Sequence, residues 1–201
     1  MNRIAHPLFH TGEAARPTSP KQLNIYATTW TIATELNALW HSRLPQIKAT
    51  SGVKSTAVCF VAEYEGLFYA SAIWTNPVAA ALPPRTWLEL RRFAISFDAP
   101  RNTGSRMLAV MAKLIQDALE HVEVLVSYQD TSVHSGTIYA AAGWMATRLS
   151  REGDDWTGRA GRKRGEAVTT AAKQRWEKRI RTPVEQEVKS QKACNPSIPG
   201  M

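Results

Sequence analysis

The stretch Trp87-Leu-Glu-Leu-Arg-Arg-Phe-Ala-Ile95 leads through a polar turn, Asp98-Ala-Pro-Arg-Asn-Thr-Gly-Ser-Arg106, into Met107-Leu-Ala-Val-Met-Ala-Lys-Leu-Ile-Gln-Asp-Ala118. The first piece reads as a strand. In the last, Met107, Val110, Met111, Leu114 and Ala118 fall on one helical face, widened by Leu108 and Ile115. Glu123–Tyr128 follows as a short buried strand. Strand, helix, strand in this order implies a parallel pair joined by a right-handed crossover. Upstream, Ala57–Tyr64 and Leu67–Trp74 flank Glu65-Gly66, a hairpin signature that adds an antiparallel part. The class is therefore α/β with a mixed sheet.

Further outward the pattern is simpler. Pro77, Pro83 and Pro84 make the next segment a loop, because proline cannot join a ladder. His134–Ala142 reads as a short helix stopped by Gly143, and Trp144–Leu149 as a further strand. Leu23, Tyr26, Trp30, Ala33, Leu36 and Trp40 recur at three and four, which predicts one helix across Leu23–Trp40. Residues 1–20, with Pro7, Gly12, Pro17 and Pro20, read as a loose arm, and 21–150 as the domain. Residues 151–201 read as a basic tail with one helix at Ala167–Ile180.

Composition narrows the class. Apolar residues make up 44% of the 201, too many for a disordered chain. No apolar run approaches the ~20 residues of a membrane span. Met1–Glu13 lacks a basic start followed by an apolar stretch, so no secretory leader is expected. Cys59 in an apolar strand and Cys194 in a polar tail read as unpaired thiols of a reducing cytoplasm. The net charge is +8, and residues 151–201 carry 12 Lys/Arg against 7 Asp/Glu. Such a tail suits a polyanion, whose counterions are released on binding, or is simply a solvated surface. Its cations Arg162, Lys163, Arg164, Lys173, Arg175, Lys178 and Arg179, with Trp176 among them, combine charge for a phosphate backbone with an aromatic for a base.

The turn Arg101-Asn102-Thr103-Gly104-Ser105-Arg106 lies where a helix begins. First-turn N–H groups have no intrahelical acceptor, and the helix dipole adds positive charge there. A pyrophosphate fits that spot if small residues such as Gly104 and Ser105 admit it, with Arg101 and Arg106 adding charged donors. The other reading is a structural turn with Asp98 and Thr103 at capping positions.

This turn, followed by a strand and by Ile138-Tyr-Ala-Ala-Ala-Gly-Trp144, resembles the core of the GNAT superfamily of N-acetyltransferases, with helices on both faces of a central mixed sheet. Its usual loop is Arg/Gln-x-x-Gly-x-Gly/Ala, and here Arg106 stands at the last small position. Three segments resemble, more narrowly, the Mom DNA-modification proteins of Mu-like phages. They are Leu39-Trp-His-Ser-Arg-Leu-Pro45, Glu89-Leu-Arg-Arg-Phe-Ala94, and Leu125-Val-Ser-Tyr-Gln-Asp130 with His134-Ser-Gly-Thr-Ile-Tyr139 and Gly143-Trp144. The resemblance implies a phage or prophage enzyme, working in the host cytoplasm on double-stranded DNA, that carbamoylmethylates the exocyclic amine of adenine and so hides it from restriction. By superfamily analogy it implies acetyl-CoA or another acyl-CoA as cofactor. A generic GNAT enzyme acting on a protein or small amine, and a non-catalytic DNA-binding relative, are the alternatives.

An amine nucleophile must lose a proton and a leaving thiolate must gain one, so base and acid stand apart. The catalytic candidates are His41, Tyr128, Asp130 and Tyr139. Asp130 ends a buried strand, where open sheets bind ligands, and reads as base or amine orienter, or as a cap. Tyr139 is the acid by superfamily analogy, or a packing residue. His41 ends the first helix, where the dipole also favours a histidine. Ser127 lines the cofactor pocket. Glu89 and Arg92, three apart in a strand, are expected on opposite faces, and Glu89 and Arg91 on one face as a buried pair. His41, His134 and Asp130 have metal-ligating chemistry, but their spacing matches no known site and no metal is assigned.

Overall fold

The computed structural model describes residues 16–40, 47, 57–150 and 172–182. The catalytic candidate His41 and the tail cations Arg162, Lys163 and Arg164 lie outside these. Seven strands form one sheet: β1 (Asn24–Thr28), β2 (Val58–Tyr64), β3 (Leu67–Thr75), β4 (Trp87–Ile95), β5 (Val124–Asp130), β6 (Met145–Leu149) and β7 (Lys173–Arg179). Their order is β1-β2-β3-β4-β5-β7-β6. Only β4 and β5 pair in parallel; the other neighbours are antiparallel, so the sheet is mixed as expected. The helices are α1 (Trp30–Trp40), α2 (Thr103–Ala118) and α3 (Thr137–Ala141). No described helix is long and apolar enough to cross a membrane.

Both faces of the central strands are covered. Met107, Leu108, Met111 and Ile115 of α2 pack on Leu88, Leu90, Leu125 and Trp74. On the other face α1 lays Ala33 on Cys59 and Ile73. The β2–β3 turn has positive φ at both Glu65 (49°) and Gly66 (80°), the primed geometry whose twist matches paired strands. Gly143, at φ 71°, ends the short helix.

Two expected helices are corrected. Leu23–Thr28 is not the start of α1: Asn24–Thr28 is an edge strand in register with β2. Thr29 divides the two, its Oγ1 accepting the Ile32 N–H at 3.3 Å as a helix cap. Apolar spacing over so few residues cannot separate a helix from a strand that finds a sheet edge.

The second correction matters more. Lys173–Arg179, expected inside the Ala167–Ile180 helix, is β7, paired along its length with β5 on one side and with β6 on the other. Only Trp176 and Ile180 gave an apolar signal there. The alternation that makes a strand is instead carried by polar residues, which a sheet face open to solvent allows. The folded unit therefore runs past residue 150, through Arg181. The Arg181 guanidinium is buried and donates to the carbonyls of Gln116, Leu119 and Val122, which tie β7 to the C-terminal end of α2. Of the arm, Ser19 forms a capping box with Gln22, and Arg16 reaches Asp98 at 3.1 Å.

Cutting the chain after Ser150 should abolish the folded state, not trim a tail. It strips an interior strand from the sheet, bares one edge of β5 and leaves β6 without a strand partner. Circular dichroism should show no cooperative melt for the truncated chain. A melt like that of the full chain would contradict this topology.

Candidate active site

β4 and β5 are paired only from Trp87–Leu90 to Val124–Ser127, although β4 runs on to Ile95 and β5 to Asp130. Beyond Leu90 the two strands part. On β4 the register jumps from Trp74↔Leu90 to Ile73↔Arg92, so Arg91 is the extra residue of a bulge, a device that bends and twists a strand. β5 meanwhile stays with β7 as far as Asp130↔Lys173. The result is a crevice at the C-terminal ends of two parallel strands, where open sheets bind ligands.

The α2 side of the crevice begins at the loop. Asn102, at φ 68°, turns the chain into the helix, and its carbonyl accepts the Arg106 N–H and the Ser105 hydroxyl, each at 3.1 Å. Thr103 is buried, its hydroxyl donating to the Pro100 carbonyl at 2.7 Å, so it shapes the turn. The Gly104 and Ser105 N–H groups have no intrahelical acceptor. Arg101 is exposed, while the Nε of Arg106 is buried without a partner. Gly104 is small for a different reason than expected. A Cβ there would point into the core, 3.1 Å from both Ile138 Cγ2 and Ile95 Cδ1, so the glycine lets α2 approach β4 and α3.

Tyr139 and Ser127, from separate elements, meet on this side: their hydroxyls are 2.8 Å apart and buried. The Tyr139 ring is clamped, stacked on Trp176 at 5.3 Å and edge-on to Trp144 at 5.7 Å. Burial raises its phenol above the usual range, with Ser127 pulling the other way, so it stays protonated at neutral pH. Trp176 in turn donates Nε1–H to Gln129 Oε1 at 2.7 Å, and Gln129 donates to the His134 carbonyl. Gly136, at φ 76°, makes room for this: a Cβ there would lie 2.5 Å from Gln129 Oε1 and 2.6 Å from the Trp176 ring.

The α1 side is polar. Thr75↔Glu89 and Ile73↔Arg92 are both register pairs, and Thr75 and Ile73 share a face. Glu89 and Arg92 therefore share it too: the bulge at Arg91 corrects the expectation that they point apart. Glu89 is 7% exposed; it accepts the Val78 N–H at 2.9 Å and sits 3.4 Å from Arg91 Nε, the pair expected from spacing. Burial, against these partners, lifts its carboxyl above the ordinary range. Burial likewise lowers the Arg92 guanidinium. Tyr128 and Asp130 line the same face, level with Arg175 and Lys173. The Tyr128 phenol is raised first by burial and next by Glu89, with Arg175 pulling the other way. Asp130 Oδ1 accepts from Ser132 N–H at 3.0 Å and Ser132 Oγ at 2.6 Å, and the His134 N–H takes the Asp130 carbonyl. His134 itself is exposed beyond the strand. Among the described residues no cluster of His, Cys, Asp and Glu could hold a metal.

Sequence reasoning passed over Glu89 as a packing pair. Its signal, a carboxylate between Leu88 and Leu90 in the apolar first half of the strand, is present in Trp87–Leu90. The strand cations are less free than a tail suggests. Lys178 Nζ donates to the Ala142 carbonyl at 2.8 Å, Arg175 pairs with Glu177 at 2.8 Å, and Arg179 stands 4.0 Å from Glu123. One face of Trp176 is packed on Tyr139.

The profile of the Mom protein family matches residues 67–195, from β3 through β7 and beyond. This chain belongs to the Mom protein family. No curated protein matches the sequence. Among solved structures, an acetyltransferase from Bacillus subtilis in complex with CoA is 10% identical with a TM-score of 0.55, over 78% of this chain and 98% of that one. The ribosomal-protein-S18-alanine N-acetyltransferase from Escherichia coli is 15% identical with a TM-score of 0.56, over 80% and 95%. A GNAT family acetyltransferase from Elizabethkingia anophelis with acetyl-CoA bound is 13% identical with a TM-score of 0.50, over 79% and 98%. The Mom chain thus has the GNAT fold.

Arg101 and Gly104 should separate in experiment. Arg101→Ala should leave the melting temperature unchanged and weaken coenzyme A binding about tenfold, the loss of one charged hydrogen bond. Gly104→Val should lower the melting temperature, because its methyl groups enter the core. Titration calorimetry and thermal denaturation read the two effects. Coenzyme A binding by Arg101→Ala at native affinity would remove the loop from the cofactor site.

Proposed function

We propose that this Mom protein is a DNA-modification enzyme that transfers an acyl-type group, carbamoylmethyl (acetamido), to the exocyclic amine of adenine in double-stranded DNA. The observation that carries the reading is a division of labour across one opening in a chain of this family. A buried phenol, Tyr139, stands on the α2 side, and a buried carboxylate, Glu89, on the α1 side.

The α2 side fits an acyl-CoA. Arg101, the N–H groups of Gly104 and Ser105, and the unpartnered Nε of Arg106 suit a pyrophosphate at a helix N-terminus. When bound there, an acyl-CoA would supply an activated acyl carbon and a thiolate leaving group. Direct transfer gives an N-acyl amine, so the carbamoylmethyl product, joined through its methylene, also requires an amide-nitrogen donor as co-reactant. Tyr139 keeps a proton on its hydroxyl, oriented by Ser127, ready for a leaving thiolate. Glu89, with its raised basicity, takes a proton from the acceptor amine. Asp130, on the same face and fixed by Ser132, orients that amine. The adenine amine is held in a base pair within duplex DNA, so the base must be flipped to reach the crevice. Lys173 and Arg179 share the acceptor face and can meet phosphates. Arg162, Lys163 and Arg164 extend this charge along the chain. Modified adenine would escape restriction enzymes.

Mass analysis of nucleosides from DNA of cells expressing the protein should show carbamoylmethylated deoxyadenosine. Unmodified adenine would end the reading. Glu89→Gln should cut turnover by about 10² or more, the usual weight of general base catalysis. In the native enzyme the acid limb of the pH–rate profile should lie above the ordinary Glu range, because the carboxyl must ionise to act. Stability runs the other way. A raised folded pKa means the unfolded chain ionises Glu89 first as pH rises, favouring unfolding. Glu89→Gln should then melt at or above the native temperature at neutral pH, and equal to it well below the carboxyl's unfolded range. An active variant, or one inactive only through unfolding, would return Glu89 to a packing role.

A further inference from the structure

We infer that Tyr128, braced by Arg175, is the platform on which the acceptor's heteroaromatic base lies; this rests on the reading of the acceptor as a nucleobase. Tyr128 is the first residue of β5 past its last pair with β4, Leu90↔Ser127. It is 36% exposed, between Ser127 at 1% and Gln129 at 6%. Strand alternation puts those two neighbours on the α2 side with Tyr139 and Trp176, and the Tyr128 ring on the α1 side, level with Arg175. The ring therefore stands at the lip of the opening, across the sheet from the phosphate loop.

Tyr128 is held in place with more structure than a surface tyrosine requires. Arg175, its register partner across the β5–β7 ladder, is itself fixed by Glu177 Oε1 at 2.8 Å and Thr147 Oγ1 at 3.2 Å. Thr147 closes the set by donating to Glu177 Oε1 at 2.9 Å. It does so as the extra residue of a bulge in β6, between Ala146↔Trp176 and Arg148↔Arg175. Three strands thus converge on one guanidinium beside one exposed ring. A rigid tyrosine with an arginine at its edge suits a planar, electron-rich heterocycle, which stacks on the ring and the guanidinium plane alike. An aliphatic lysine amine gains little from such a face.

The chemistry beside the platform matches the amine of that heterocycle. Glu89 is in register with Val126, the residue one step before Tyr128 on the same face, so its carboxylate stands diagonal to the ring. A base stacked on Tyr128 can point an exocyclic N–H at Glu89, an acceptor, while Asp130 flanks the ring one step further along. The faces of the four nucleobases stack alike, so the platform supplies affinity, and the carboxylates select a base that presents an amine.

The test uses the full chain and two single-stranded oligonucleotides whose central sites are abasic, save that one carries a single adenine. The native protein should bind the adenine strand about tenfold more tightly, the scale of one base–aromatic stack. Tyr128→Leu should lose this preference while keeping its coenzyme A affinity and melting temperature. Tyr128→Phe, which keeps the ring, should retain most of it. Arg175→Ala should weaken the preference, and Arg175→Lys should restore part of it, as expected of a residue that positions the ring. No preference in the native protein, or a full preference in Tyr128→Leu, would overturn the platform. If Tyr128→Leu fails to fold, equal preference in Arg175→Ala and the native chain would overturn it. The adenine modification assay separates the two proposals. A preference that depends on Tyr128 without modified adenine keeps the platform and removes the reaction. Modified adenine made equally well by Tyr128→Leu keeps the reaction and removes the platform.

Discussion

Two strands that start as hydrogen-bonded neighbours and end apart define the candidate site of this molecule. β4 and β5 share four register pairs and then separate, because each obeys a different partner. β4 follows β3 through the bulge at Arg91, while β5 is held straight by seven pairs to β7. The backbone groups freed at the opening face a crevice, not a ladder. Everything with chemical character lies around it: the start of α2, the Ser127–Tyr139 pair, Glu89 and Tyr128. Without the bulge, Glu89 and Arg92 would face opposite sides. Without β7, nothing would hold β5 away from β4.

β7 also couples the end of the chain to the site. Trp176 stacks on Tyr139, Lys178 fixes the carbonyls that close α3, and Arg181 caps the far end of α2. A charged segment that looks detachable is thereby part of the core. Its alternating residues divide between two faces. Trp176 and Lys178 face the α2 side, while Lys173, Arg175 and Glu177 face the α1 side. The positive charge of the strand is largely spent on ion pairs and carbonyls within the fold, each of modest energy in water but geometrically binding.

The aromatic cluster around Tyr139 sets the electrostatics of its side. Trp74 stacks on Trp144 at 6.1 Å, Trp144 meets Tyr139 edge-on, and Trp176 covers the other face. Rings exclude water, and a phenol in such surroundings resists ionisation. On the opposite side a carboxylate is desolvated beside arginines, which leaves it more basic than in water yet still solvated by fixed donors. The same principle, burial disfavouring charge, keeps the Tyr139 phenol protonated and leaves the Glu89 carboxyl more basic than a free one.

The sequence by itself determined the parallel strand–helix–strand unit, the β2–β3 hairpin and the loop at the start of α2. Those features are local: hydrophobic period, positive-φ turn residues and helix-start chemistry are written in consecutive residues. It also made Ser127, Tyr128, Asp130 and Tyr139 legible as one neighbourhood, since they lie within thirteen residues of chain. Tertiary structure decided the rest. Asn24–Thr28 and Lys173–Arg179 are strands only because sheet edges were there to receive them, and a polar strand carries no apolar period to announce itself. The facing of Glu89 and Arg92 turned on one inserted residue at Arg91, which pairing with β3 reveals and spacing along β4 cannot. Gly104 looked like room for a phosphate and is room for Ile95 and Ile138, because which side of a helix faces the core depends on what packs against it.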